Sequence, residues 1–456
     1  MRKKGRSTHT MNLFPYGRAA LCMFVLALLS GGWIASHPAP HKTATLTYWT
    51  FSKDHYDAYS KLIPDFEKQH PGVHVDLEIV SNNALAARLQ AAFLSDLDVP
   101  DMTELEIGTA GTMFRGPVKD IGFIDLKPRL IQSGLYDRYV QSRFSPYTSR
   151  GGIYGLPQDV HPVQIVYNRE IFAKYGIAPD KIKTWDDFIA AGHKVTIPNK
   201  QYMIELSDST LGSGGLETIM LQRGGSYYDP QGRCTIDSDA IAKSMEFYVP
   251  LVAGPNKIGG TTGDFYGAAW SKSVEDGYIA SMLCPDWRTL FVQRGPTKMA
   301  GKMGIMPLPA VYPGGIRTST WGGTMLGITK QCKHPDLAWQ LAQFLYTDQS
   351  RLADNFKNTN ILPPLKDAWA NPAFSAPNPY YDGQPLGALY AKLAPSVPAQ
   401  YTAPTIDTAK AKLGDALIDC VAYYNRHGND GFDSFVRAEL KEKADEVREL
   451  QARNPY

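Results

Sequence analysis

Alternating and helical patterns of apolar residues trade places along the first hundred positions. Residues 44–51 (ATLTYWTF) alternate in part and are rich in β-formers, as expected of a buried strand. From 52 to 69 the apolar positions are Tyr56, Tyr59, Leu62, Ile63 and Phe66, a helical spacing that stops at His70-Pro71-Gly72. Val73, Val75, Leu77 and Ile79 alternate again, 83–94 is an alanine-rich helix, and 101–107 is a third strand ending at Gly108. A β-α-β-α-β order builds a parallel sheet flanked by helices, so the fold class is α/β. In open sheets of this kind, ligands bind beyond the carboxyl ends of the strands. Trp49, Thr50, Glu104, Glu106 and Gly108 therefore fall at one rim.

The pattern changes at 152–176. A glycine-flanked apolar pair and two prolines lead into the apolar strand Val163, Ile165, Val166, Tyr167 and then a short amphipathic helix. Between them, Gln158-Asp159-Val160-His161-Pro162 holds polar groups on backbone that proline stiffens. Such a stretch suits a crossover between two lobes. Beyond it, helices are predicted at 185–191 with Thr184 as N-cap, at 211–223, at 237–252 behind an aspartate cap, and at 335–346. Apolar strands are predicted at 278–283, 303–308 and 319–328. The stretch 363–404, rich in proline, alanine and tyrosine, reads as a loose wrap, and 408–425 and 431–453 as two amphipathic helices.

At 456 residues the chain calls for two or more domains. Its net charge of +2 is misleading, because Arg2, Lys3, Lys4, Arg6 and Arg18 all precede the first acid, Asp54. Without residues 1–36 the balance loses five positive charges and no negative ones, and falls to −3. No other basic run exists, so nucleic acid is not an expected partner. The basic leader feeds an apolar run beginning at Ala19, short for a membrane span of about 20 residues, so 1–36 is expected to be a signal peptide or a retained anchor on an exported protein. Cysteines at 22, 234, 284, 332 and 420 form no C-x-x-C pair and imply neither a disulfide framework nor a metal site.

Taken in order, several passages resemble family 1 extracellular solute-binding proteins of carbohydrate ABC importers, the maltose-binding-protein group. They are YWTF…LIPDFEKQHPGVHV, PDMTELEIG, GLPQDVHPVQIVYNREIFAKYGI with TWDDF, GYIASMLCPDW, KMGIMPLP, TWGGTMLGI and DLAWQLAQFLYTDQSR. The resemblance spans essentially the whole mature chain. It implies a two-lobed clamshell (type II) with parallel-rich sheets and crossovers near 156–159, 320–323 and 373–378. Lobe 1 would comprise 43–157 with 322–375, and lobe 2 158–321 with 376–456. It further implies a monomeric, cofactor-free protein that binds a sugar in the interlobe cleft and hands it to a membrane permease. The PDMTELEIG and DVHP passages look most like members that take arabinose-type oligosaccharides.

Sugars are held by aromatic faces against C–H groups and by charged groups on hydroxyls. The candidate ligand-binding residues are Trp49, Thr50, His55, Glu104, Glu106, Asp159, His161, Asp208, Trp270, Asp286, Trp287, Arg288, Trp321 and Gly322, with Tyr266 beside them. His55 at a helix start also reads as solvent-facing. By resemblance, His161 occupies the place of a cleft glutamate in maltose-binding protein. Two other function classes stay open on the residues alone. A secreted glycosidase would use Glu104 and Glu106, two apart on one strand face and about 7 Å from each other. A binding protein for another solute, such as a polyamine, iron or glycerol phosphate, is the third class. A phosphate would want an arginine or lysine cluster at the cleft and iron clustered Tyr, His and carboxylates, and the carboxylate-plus-tryptophan set suits a neutral polyol better. No G-x-S-x-G, H-E-x-x-H, P-loop or G-x-G-x-x-G motif is present.

Overall fold

The computed structural model describes residues 17–36, 44–95, 97–209, 214–262 and 266–453. Helix Gly17–Ser36 covers the leading apolar run; among the described residues no helix is long and apolar enough to cross a membrane. The spacer at 37–42 and the first turn of the predicted helix 211–223 lie outside the described residues.

Two five-stranded sheets carry the rest, with a small antiparallel hairpin of Thr148–Ser149 and Gly152–Ile153 beside them. Strands β1 (Ala44–Thr50), β2 (Val73–Ile79) and β3 (Met102–Glu106) form the predicted parallel unit, with β1 between the other two. Strands β4 (Leu156–Pro157), β5 (Val163–Asn168), β6 (Ile204–Glu205), β7 (Gly259–Gly260), β8 (Ser281–Pro285), β9 (Met303–Pro307) and β10 (Thr324–Ile328) follow. The first sheet runs β2-β1-β3-β10-β4 and the second β9-β5-β8-β6-β7. Strand β10 is antiparallel to both β3 and β4, so a late strand closes the early sheet. The chain therefore crosses between sheets twice, at 158–162 and at 308–323.

Helix Lys53–Gln69 shows how pattern becomes packing. The Ser52 hydroxyl accepts the His55 N–H at 3.3 Å, and Tyr59, Ile63 and Phe66 are buried on one face. His55 is buried on that same face, not solvent-facing, because it ion-pairs with Glu104 inside the lobe. The helix predicted at 237–252 runs Asp239–Val252; Ser238 stands at its N-cap position without a side-chain capping bond, and Asp237, the expected cap, pairs with Arg448 instead. Only 324–328 of the stretch 319–328 is strand. The rest lies along the first crossover, where Thr320 bridges Pro162.

The 363–404 stretch is packed, not loose. Phe374, Tyr381 and Tyr390 are buried, and the Tyr380 and Tyr381 hydroxyls donate to the Pro296 and Thr289 carbonyls, each at 2.8 Å. Each buried hydroxyl needs such a partner, and the pairs fix the segment against the second sheet. Residues through Val397 share a core with strands of both sheets, whereas Ala403 onward joins the core of the second. All five cysteines are free, with Cys234, Cys284, Cys332 and Cys420 buried.

Candidate functional site: the junction between the lobes

Three polar clusters and one aromatic group meet where the crossovers pass between the sheets. The first cluster surrounds Glu104, fully buried on β3. Its carboxylate accepts the Thr50 hydroxyl at 2.5 Å, His55 Nδ1 at 2.9 Å, and the Tyr59 and Tyr346 hydroxyls at 2.7 Å each. Burial pushes this carboxyl up, but the His55 charge and the hydrogen bonds outweigh it and hold it below the ordinary value. His55 is raised in turn: burial lowers it and the Glu104 charge more than compensates. Gln158 Nε2, 3.2 Å from His55 Nε2, ties this cluster to the first crossover.

The second cluster contains Arg143, Asp159, His161 and Asp286. Arg143 Nη2 lies 3.2 Å from Asp159 Oδ1, and His161 Nε2 lies 3.0 Å from Asp159 Oδ2. On its other side His161 Nδ1 lies 2.6 Å from Asp286 Oδ1. With a carboxylate at each ring nitrogen, both must donate, which only the imidazolium can do. Burial would lower the histidine, but Asp159 and Asp286 drive it up to about 9.

The third cluster lies under the aromatic group. Buried Arg288 donates to Glu205 Oε2 at 2.6 Å and to the Leu283 carbonyl at 2.7 Å. Its guanidinium is 5.5, 5.6 and 5.4 Å from the ring centres of Tyr266, Trp270 and Trp321. Trp287 Nε1 donates to the Trp321 carbonyl at 3.0 Å, and the two indoles meet edge to face with centres 5.5 Å apart. Trp287, Trp321 and Tyr266 are half-buried, whereas Trp270 is wholly enclosed. Gly322 permits this closeness: its φ is +90°, and a Cβ there would sit 3.2 Å from Trp287 Nε1 and 3.3 Å from His161 Cδ2.

Glu106 is half-buried at the end of β3, where it caps the turn Ile107–Ala110 by accepting the Gly108 N–H at 2.6 Å. Burial raises its carboxyl, and Lys410 of helix Ile406–His427 opposes that. Lys410 in turn lies 3.8 Å from Glu217, so one cation serves acids from both lobes. Sequence reading did not single out Lys410, Arg143 or Glu205. Lys410 sits among ordinary charges of an amphipathic helix, and only the folded register brings it to Glu106. Trp49 is half-buried and packs with Phe51 on a third core cluster, and Asp208 is half-buried in the loop before 210–213. The structure thus joins Thr50, His55 and Glu104 in one network, Asp159, His161 and Asp286 in a second, and Trp270, Trp287, Arg288, Trp321 and Gly322 in a third. Among the described residues no group of three His, Cys, Asp or Glu side chains could hold a metal ion.

A profile described as bacterial extracellular solute-binding protein matches residues 52–351. The chain belongs to that family. The solute-binding protein is 29% identical over 369 residues to the arabinooligosaccharide-binding protein of Bacillus subtilis (strain 168), covering 79% of this chain and 82% of that one. A protein of the same description from Halalkalibacterium halodurans is 27% identical over 350 residues, covering 74% and 75%. In fold, it superposes on the sugar-binding protein MalE of Xanthomonas citri with a TM-score of 0.73 at 19% identity, over 89% of this chain and 98% of that one. The two-lobed clamshell expected from the sequence is the fold found.

Proposed function

We propose that this solute-binding protein captures an oligosaccharide of the arabinose type between its lobes and delivers it to an ABC permease, without altering it. The observation that carries the reading is the perpendicular Trp287–Trp321 pair, half-buried beside Tyr266, with the Glu106–Lys410–Glu217 charges spanning the lobes. Rings present C–H-binding faces and the charges take hydroxyls, a combination that suits a neutral polyol. Trp49, Glu106, Asp208, Tyr266, Trp287, Trp321, Gly322 and Lys410 face the ligand in this reading. Thr50, His55, Glu104, Asp159, His161, Trp270, Asp286 and Arg288 hold those residues from beneath. The lobes divide at 157/158 and 321/322, with the tail bracing both.

The names of the two arabinooligosaccharide-binding relatives support the sugar class. The glycosidase reading is disfavoured because both Glu104 oxygens are taken by buried partners, leaving none for a scissile bond. Export follows from the family and the basic-apolar leader. Calorimetry with arabino-, malto- and galacto-oligosaccharides, with chromatography of the recovered sugar, is the test. Binding of an intact arabino-oligosaccharide is expected. Indifference to every sugar would overturn the carbohydrate reading, and shortened products would overturn the binding-only one.

A further inference from the structure

We propose that Arg143, Asp159, His161 and Asp286 form a charge-balanced pivot that sets the angle between the lobes and positions the Trp287–Trp321 pair, acting through the backbone and not through the ligand. The proposal rests on the two-lobed fold and is independent of which sugar is bound.

The cluster touches both crossovers and the Leu362 segment beside them. Asp159 and His161 belong to the first crossover. Arg143 donates to the Gly322 carbonyl at 2.9 Å and to the Thr320 hydroxyl at 2.9 Å, both on the second crossover. The Thr324 N–H, where that crossover enters β10, donates to Asp159 Oδ2 at 2.8 Å. Asp286, at the start of helix Asp286–Arg294, accepts the Leu362 N–H at 2.8 Å, and the Val160 N–H donates to the Leu362 carbonyl at 3.1 Å. Asp286 also accepts the Trp287 N–H at 2.7 Å. One carboxylate therefore fixes a cleft tryptophan and two junction segments.

Charge makes the cluster hold or release as a unit. Two carboxylates face one guanidinium and one imidazolium, and all four side chains are buried. The charged groups facing His161 are Asp159 on its own crossover, Asp286 on the helix, Arg143 behind Asp159, and His55 from the first lobe. A neutral histidine would leave one buried carboxylate without a cation, which is costly. His161 also holds a left-handed backbone, φ +55°, directly before Pro162, a strained conformation kept only if its surroundings enforce it. The sign follows from the raised histidine. The cluster is fully formed below about pH 6.5 and is released as pH rises through about 9.

The test compares wild type with His161→Gln, both without residues 1–36. Ligand-free small-angle scattering and tryptophan fluorescence are recorded from pH 6 to 10, and arabinotriose affinity at pH 7. Wild type is expected to change in scattering and fluorescence with a midpoint near pH 9. His161→Gln should show the altered profiles already at pH 7, without that midpoint, and bind arabinotriose about tenfold or more weakly, the loss of one charge-assisted contact. Identical ligand-free profiles for the two proteins at pH 7 would overturn the pivot. If His161→Gln does not fold, a wild-type titration flat from pH 7 to 10 overturns it equally. Normal ligand-free behaviour without arabinotriose binding would count against the sugar class, not the pivot.

Discussion

Replacing Glu205 by Gln would test whether the floor under the aromatic group depends on its buried charge. The exchange keeps size and an acceptor for Arg288, but removes the only carboxylate within ion-pair distance of that guanidinium among the described residues. The side chains are 1% and 2% exposed, so water cannot take the carboxylate's place. At charge centres about 4 Å apart and an effective dielectric near 20, the lost attraction is about 4 kcal/mol. That agrees with the roughly 3–5 kcal/mol cost of stripping one partner from a buried pair. Cation–π contact with three rings and the Leu283 carbonyl keeps some of the guanidinium's stabilisation, so about 3 kcal/mol is the expected net loss. At roughly 2–4 °C per kcal/mol for a lobe of this size, calorimetric melting should fall by about 10 °C. The double replacement Glu205→Leu with Arg288→Met, which leaves no charge to desolvate, should recover most of that. A single variant melting within about 2 °C of wild type, or a double variant no better than the single, would refute the reasoning.

Three further outcomes follow from the same geometry. Gly322→Ala forces a Cβ into a +90° backbone against Trp287 and His161; a loss of about 1–3 kcal/mol in urea unfolding is expected, with weakened sugar binding in calorimetry. Trp287→Ala removes a half-buried ring and should weaken oligosaccharide affinity about tenfold to a hundredfold while near-native melting persists; unchanged affinity would remove Trp287 from the site. His161, raised from 6.5 to about 9 and buried, should make the fold about 3 kcal/mol less stable at pH 10 than at pH 6, read as a melting temperature that falls from about pH 6.5 and levels off above about pH 9.

What sequence conveyed and what it withheld divide along contact range. The β1–β3 unit was legible because alternation and helical spacing are local, and Pro71-Gly72 marks a stop without help from the fold. His55 was not legible: its partner Glu104 lies 49 positions away, and nothing local distinguishes a capped surface histidine from a buried one. Glu104 and Glu106 do have the same strand parity, yet β3 ends at Glu106, which turns to cap the next helix while Glu104 stays among tyrosines. Arg143 sits in QSRFSPY, a stretch without period, and its importance comes from Asp159 and Gly322. The packed tail left one usable signal, its tyrosines, whose hydroxyls were a reason to look for carbonyl partners.

The four buried cysteines have a practical consequence for the laboratory. Burial pushes the Cys332 and Cys420 thiols up to about 12 and raises those of Cys234 and Cys284. Thiolate is the reactive form, so in the folded protein these sites are slow towards maleimides. Once residues 1–36, with exposed Cys22, are removed, the chain is chemically quiet at sulfur. A single cysteine placed at exposed Leu97 or Tyr312 would then carry essentially all of a fluorophore, making the chain a ready scaffold for an optical sugar sensor.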